Sequence, residues 1–205
     1  MQALLKFSRG IDWLNSLVGK YVIWLILAST VISGINAIVR KVFNYSSNGF
    51  LEVQWYLFAA AFLLAAGYTL LQGEHVKVDV IASRLSKRAQ IWIDIFGFVF
   101  FLTPVCLVIL WYGIPFFIQG YVSNEMSSNA GGLRWPVYLM MPLGFGLLLL
   151  QGMSELIKRI AFLQGLIEDP TAKKAEKTAE EELAESIRRL AQASKGNGAS
   201  AHTAE

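Results

Sequence analysis

The sequence predicts an all-α integral membrane protein with four transmembrane helices and an amphipathic interfacial helix ahead of them. Three observations lead there. Of the 205 residues, 55% are hydrophobic and only 16% are charged, and the mean hydropathy of +0.47 is high for a soluble domain of this size. The apolar residues fall into four long blocks, each supplying the roughly 20 residues that cross about 30 Å of hydrocarbon. The charges collect between those blocks and in residues 166–205.

The first element covers residues 1–19. Leu4, Phe7, Ile11, Leu14 and Val18 recur at helical spacing, with Lys6, Arg9, Asp12, Ser16 and Lys20 on the other side of the wheel. This pattern predicts a helix lying in the membrane interface with its basic side toward the headgroups. A signal peptide is the alternative, but its shorter apolar region would directly follow the positive residues. The four-helix domain occupies residues 20–165, with spans at about 21–39, 51–71, 91–118 and 135–157. Lys20 and the Arg40–Lys41 pair bracket the first span, and Glu52, Gln54, Trp55 and Tyr56 open the second. Gly113 and Pro115 predict irregular last turns in the third. Trp135 and Pro136 open the fourth, which Pro142 should bend. Residues 166–205 read as a charged tail, helical in part around Leu183, Ile187 and Leu190 and loose at its end.

Basic residues set the orientation. Three lie ahead of the first span (Lys6, Arg9, Lys20). Four lie between the second and third (Lys77, Arg84, Lys87, Arg88), and eight follow the fourth (Lys158, Arg159, Lys173, Lys174, Lys177, Arg188, Arg189, Lys195). Only Arg40, Lys41 and Arg134 oppose these fifteen, so both termini are expected in the cytoplasm. Trp24, Trp55, Trp92 and Trp135 stand near span ends, where an aromatic belt belongs. The pI near 9.0 therefore reflects topology and not a nucleic-acid partner, because no single basic face is formed. Cys106, the only cysteine, lies within the third span and reads as a small buried side chain.

Intramembrane chemistry would need ionisable or ligating side chains at mid-bilayer depth, and the span centres carry none. Ser29, Ser33, Asn36, Thr69, Thr103 and Gln151 are the polar residues there, suited to helix–helix hydrogen bonds. Glu52, Asp94 and Glu155 sit in end turns. His75 has no second histidine at depth to ligate haem with it, since His202 is in the tail, and no ligand cluster suggests a metal. Neither a phosphate-binding Gly loop nor a nucleophile elbow is present. The sequence thus predicts no enzyme and no cofactor.

The most patterned connector, Gln72 to Gln90, alternates valine with charge in Gly73-Glu74-His75-Val76-Lys77-Val78-Asp79. It reads either as a connector whose charges meet lipid phosphates or as a docking element using Glu74, His75 and Asp79. That stretch, together with Glu52-Val53-Gln54-Trp55-Tyr56-Leu57-Phe58 and Arg84-Leu85, resembles the DctQ family, the small membrane subunits of tripartite ATP-independent periplasmic (TRAP) transporters. Asn124-Glu125-Met126-Ser127-Ser128-Asn129-Ala130-Gly131-Gly132-Leu133-Arg134-Trp135-Pro136, Pro142-Leu143-Gly144-Phe145 and Leu150-Gln151-Gly152 resemble its mannitol or chloroaromatic branch. The likeness covers roughly residues 10 to 165.

The resemblance implies a subunit of a sodium-coupled secondary transporter in the bacterial inner membrane. A periplasmic binding protein would deliver an organic acid to a large membrane subunit of the DctM family, and the small subunit would act as a stator. Glu52, Gln54, Trp55, Tyr56, Glu74, His75, Asp79, Arg134, Trp135 and Gln151 are the candidate contacts with these partners, with lipid covering the rest. An accessory subunit of a channel or respiratory complex would share this topology. A self-contained exporter should instead show internal pseudo-symmetry and midplane polar residues.

Overall fold

The structure is a computed structural model, and it describes residues 2–45, 47–73 and 86–167. Among these, five helices follow one another: α1 (Gln2–Phe43), α2 (Asn48–Gln72), α3 (Lys87–Gly97), α4 (Thr103–Val122) and α5 (Trp135–Leu163). A π turn, Phe98–Leu102, joins α3 to α4 without a break. Taken as one rod from Lys87 to Val122, α3 and α4 give the third of four helices long and apolar enough to cross a membrane. The all-helical, four-span class predicted by the sequence is what forms. Residues 168–205, including the expected tail helix, lie outside the described residues.

The buried positions mix polar with small and apolar side chains, while most large apolar side chains lie outside. Along α1 the buried positions include Ser8, Asn15, Val22, Ser29 and Asn36, spaced seven apart. Seven residues are close to two helical turns, so such a repeat keeps one seam against its neighbours. Trp13, Ile23, Trp24 and Val42 on other faces of α1 are each more than 60% exposed. In lipid this arrangement is favourable, because leucine gains nothing by leaving hydrocarbon, whereas small and polar groups gain contacts and hydrogen bonds between helices. Ser29 shows the principle, its hydroxyl donating across to the Gln54 carbonyl at 3.2 Å.

The N-terminal segment differs from expectation. Residues 2–19 are not a separate element: α1 runs unbroken for 42 residues, about 63 Å at 1.5 Å per residue. The face with Ser8, Ile11 and Asn15 is buried and turns toward α5, while Leu4 and Phe7 are about half exposed. Neither predicted side packs as a whole: of the apolar stripe Ile11 is buried, and Lys6, Arg9 and Lys20 of the polar side stay exposed.

Glycines let α2 and α5 approach closely. A Cβ on Gly144 would lie 2.5 Å from the Leu63 carbonyl oxygen, and one on Gly67 would overlap the Asn15 carboxamide and lie 3.2 Å from the Leu147 carbonyl. One on Gly152 would lie 2.7 Å from Leu102. These small residues, which from sequence alone could equally have faced a partner, are taken up within the chain.

The π turn has a packing reason. Ile91 is buried on α3, and Cys106, Gly113 and Gly120 are buried on α4. The last three are seven apart, but Ile91 to Cys106 is fifteen, one more than two sevens. A single wide turn absorbs the extra residue and brings both segments' seams onto α5. Thr103 secures it by donating its hydroxyl to the Phe98 carbonyl, five residues back, at 2.8 Å. The irregularity therefore falls at 98–102, and α4 continues through Pro115 to Val122.

Candidate functional site

Polar side chains gather at two ends of the bundle. At the end where α1 begins and α5 finishes, three helices meet in a buried network. Gln151, with no exposed surface, accepts from the Asn15 amide at 2.9 Å and donates to Asp12 at 2.9 Å and to Glu155 at 3.3 Å. Ser154 donates to the same Asp12 oxygen at 2.8 Å, and its hydroxyl shares a 2.7 Å contact with that of Ser8. Lys158 pairs with Asp12 at 2.9 Å and with Glu155 at 2.7 Å. Arg159 completes the set, paired with Glu155 one turn back and with Asp94 of α3 at 3.0 Å, its guanidinium 4.6 Å from the centre of the Phe98 ring.

Charges this buried persist only when paired and hydrogen-bonded. Two cations among three carboxylates leave the group nearly balanced. Arg159 serves because its planar fork donates in several directions at once and also stacks on an aromatic ring. The π turn supplies that ring. The network ties α1, α3 and α5 together, with Asn15 Oδ1 buried and unpartnered inside it.

The opposite end is built around the hairpin between α4 and α5. Asn124 and Gly131 take left-handed backbone angles, φ 47° and 67°. Ser127 donates its N–H to Gly132 at 2.8 Å and Arg134 its N–H to Glu125 at 3.0 Å, so the loop closes on itself. Arg134 then places its guanidinium 3.0 Å from Glu125, and the Tyr138 hydroxyl donates to the same carboxylate oxygen at 2.9 Å. Hydrogen bonding to Glu125 first, and to Tyr138 second, raises the Arg134 pKa above its ordinary value. Across from this group, Tyr56 donates to Glu52 Oε1 at 2.7 Å, and the Ser127 hydroxyl faces the same carboxylate, whose Oε2 is shielded from solvent. Glu52, Trp55, Tyr56, Ser127, Asn129 and Arg134 help to line an open cleft of about 490 Å³ between α2, the hairpin and α5.

Between these ends the middles of the spans carry no charged side chain: residues 21–39, 53–72, 95–122 and 135–154 contain no Asp, Glu, Lys, Arg or His. Among the described residues no group of three His, Cys, Asp or Glu is placed to hold a metal.

A family model for the DctQ component of tripartite ATP-independent periplasmic transporters matches residues 29–162. The chain belongs to the DctQ family. Comparison with curated proteins and with solved structures gave no significant match. As a DctQ component, it is the small subunit of a TRAP transporter, a transporter part and not an enzyme. Its partners are a DctM large subunit and a binding protein, and its place is the bacterial inner membrane, which it crosses several times.

The candidate residues of this DctQ chain separate into three groups. Glu52, Trp55, Tyr56 and Arg134 meet at the cleft. Trp135 is next to it but turned onto Tyr121, edge to face at 5.6 Å, and Gln54 contributes its backbone carbonyl to Ser29. Gln151 lies at the other end, wholly inside the chain. Glu74, His75 and Asp79 fall outside the described residues. Sequence reading passed over Ser8, Asn15, Ser154 and Arg159 as parts of a site. The seven-residue recurrence of small polar side chains in α1 was the signal available for the first two.

Proposed function

We propose that this subunit is the stator of its transporter: a fixed scaffold that widens the platform on which the large subunit moves an organic acid with sodium. The observation that carries this is the distribution of charge. Every described ion pair lies at one end of the bundle or the other, and α5 alone runs twelve residues, Leu139 to Leu150, without an ionisable side chain. A path for a coupled ion or an acid would call for such groups at depth. Residue likeness over 124–136 and 142–152 supports a mannitol- or chloroaromatic-type branch, and Glu74, His75 and Asp79 are proposed as further contacts with the large subunit.

Both termini are placed in the cytoplasm, on the fifteen-to-three distribution of basic residues. In intact cells, single cysteines at Ser47 and Ser128, in a variant lacking Cys106, should react with an impermeant thiol reagent, and one at Ser83 should not; the reverse pattern would invert the topology. The role itself is tested by reconstitution. Proteoliposomes holding the large subunit and supplied with the binding protein should show sodium-driven uptake only when this chain is present. Uptake at the parental rate without it would remove the scaffold role.

A further inference from the structure

We infer that the cleft at the hairpin end is a binding site for the headgroup of an amine-bearing phospholipid, of the phosphatidylethanolamine class. The inference rests on where the cleft lies along the spans and on its side chains, and not on the stator reading. Its walls are the first turns of α2 and the start of α5. Headgroup depth is therefore where it must sit, whichever way the chain is oriented. Its volume of about 490 Å³ falls in the range of small-ligand clefts, roughly 300–1,000 Å³.

The lining is charged in both senses. Glu52 offers a carboxylate held by the Tyr56 hydroxyl and faced by that of Ser127, and a charged donor that reaches it from the cleft adds a charge-assisted hydrogen bond. A primary ammonium supplies such a donor together with the opposite charge, which a quaternary ammonium cannot. Because Tyr56 already holds Oε1 at 2.7 Å, the site suits a point-like ammonium better than a bidentate guanidinium. Arg134 stands on the other side, about one third exposed and bonded to Glu125 through one terminal nitrogen. Its remaining donors suit a phosphate. A carboxylate and a guanidinium on one cleft match a zwitterion carrying amine and phosphate.

What lies below the cleft fits the rest of such a molecule. Leu51, Trp55, Phe58 and Phe62 follow each other along one side of α2 at spacings of four, three and four, and all are exposed, Phe62 by 73%. Acyl chains would run along this stripe, with Trp55 at the boundary, where an amphipathic ring belongs. A soluble partner would leave the stripe uncovered, and a contact with the large subunit would not depend on the lipid headgroup, so headgroup dependence is what marks cleft and stripe together as a lipid site.

The test is native mass spectrometry of the whole transporter complex, released from nanodiscs of equimolar phosphatidylethanolamine and phosphatidylglycerol. The parent should keep one phosphatidylethanolamine, and Glu52→Gln and Arg134→Gln should each lower its occupancy about tenfold, as loss of one charge-assisted hydrogen bond implies. In nanodiscs where phosphatidylcholine replaces the ethanolamine lipid, the unmutated complex should lose the bound lipid, a readout that no folding defect can imitate. Absence of an adduct in the parent, equal retention of all three lipids, or unchanged occupancy in both variants would overturn the site. So would weaker capture of the binding protein by the variants at unchanged lipid occupancy, because the cleft would then belong to a protein contact. None of these results bears on whether uptake needs this subunit.

Discussion

The two ends of the bundle hold similar residue types and use them differently. Where α1 begins, five charged side chains and four polar ones bond to one another, Asn15 Oδ1 being buried there without a partner, and Arg159 is only 7% exposed while meeting Glu155, Asp94 and Phe98 together. At the hairpin end the charges are fewer, and Arg134 and Glu125 are 34% and 41% exposed. A network whose charges are paired and largely buried mainly holds helices. An open one retains unused donors and acceptors. The difference assigns the first end to the integrity of this subunit and the second to recognition.

Removing the two arginines separately should break this comparison if it is wrong. Arg159→Ala removes the buried guanidinium that Glu155 and Asp94 share and leaves Lys158 as the cation of the network; breaking a buried pair in this way costs about 3–5 kcal/mol. Arg134→Ala removes a partly exposed, solvent-screened pair and should change stability little. Thermal unfolding of the purified subunit should therefore show a large drop for the first and a small one for the second; equal drops would erase the distinction. Gly144→Leu probes the apolar middle. Its side chain must enter the Leu63 backbone, and overpacking of this kind costs about 1–3 kcal/mol, to be seen in the same unfolding series. The smallest change is expected for Ser8→Ala, about 1 kcal/mol, since Ser154 keeps Asp12 as a partner; a loss as large as that of Arg159→Ala would make the N-terminal turns of α1 the real keystone.

The spans were legible because length and hydropathy decide whether a helix crosses a membrane, and neither depends on tertiary contacts. The inner faces were harder to read. In water the apolar stripe Leu4, Phe7, Ile11 and Leu14 would have been the packing face; here the solvent is itself apolar, so Ser8 and Asn15 pack and most of the stripe stays outside. The π turn left no local mark, since Phe98 to Leu102 is an ordinary apolar run, and its cause is the one-residue offset between Ile91 and the seam that starts at Cys106. Glu52, Trp55, Tyr56 and Arg134 were singled out from sequence and do converge, since each stands at a helix start facing the hairpin. Gln151 was singled out as well, but it belongs to the opposite end, because α5 carries it about 20 Å from Tyr138 at 1.5 Å per residue.

That the charges of this subunit hold helices and do not conduct ions is tested most directly by the sodium activation curve of uptake. It should be measured on reconstituted complexes carrying Asp94→Asn or Glu155→Gln and normalised to the amount of assembled complex. Each amide should lower the assembled fraction and leave the sodium half-saturation and the steepness of the curve at their parental values. A shifted or flattened sodium curve in complexes that assemble fully would contradict the account.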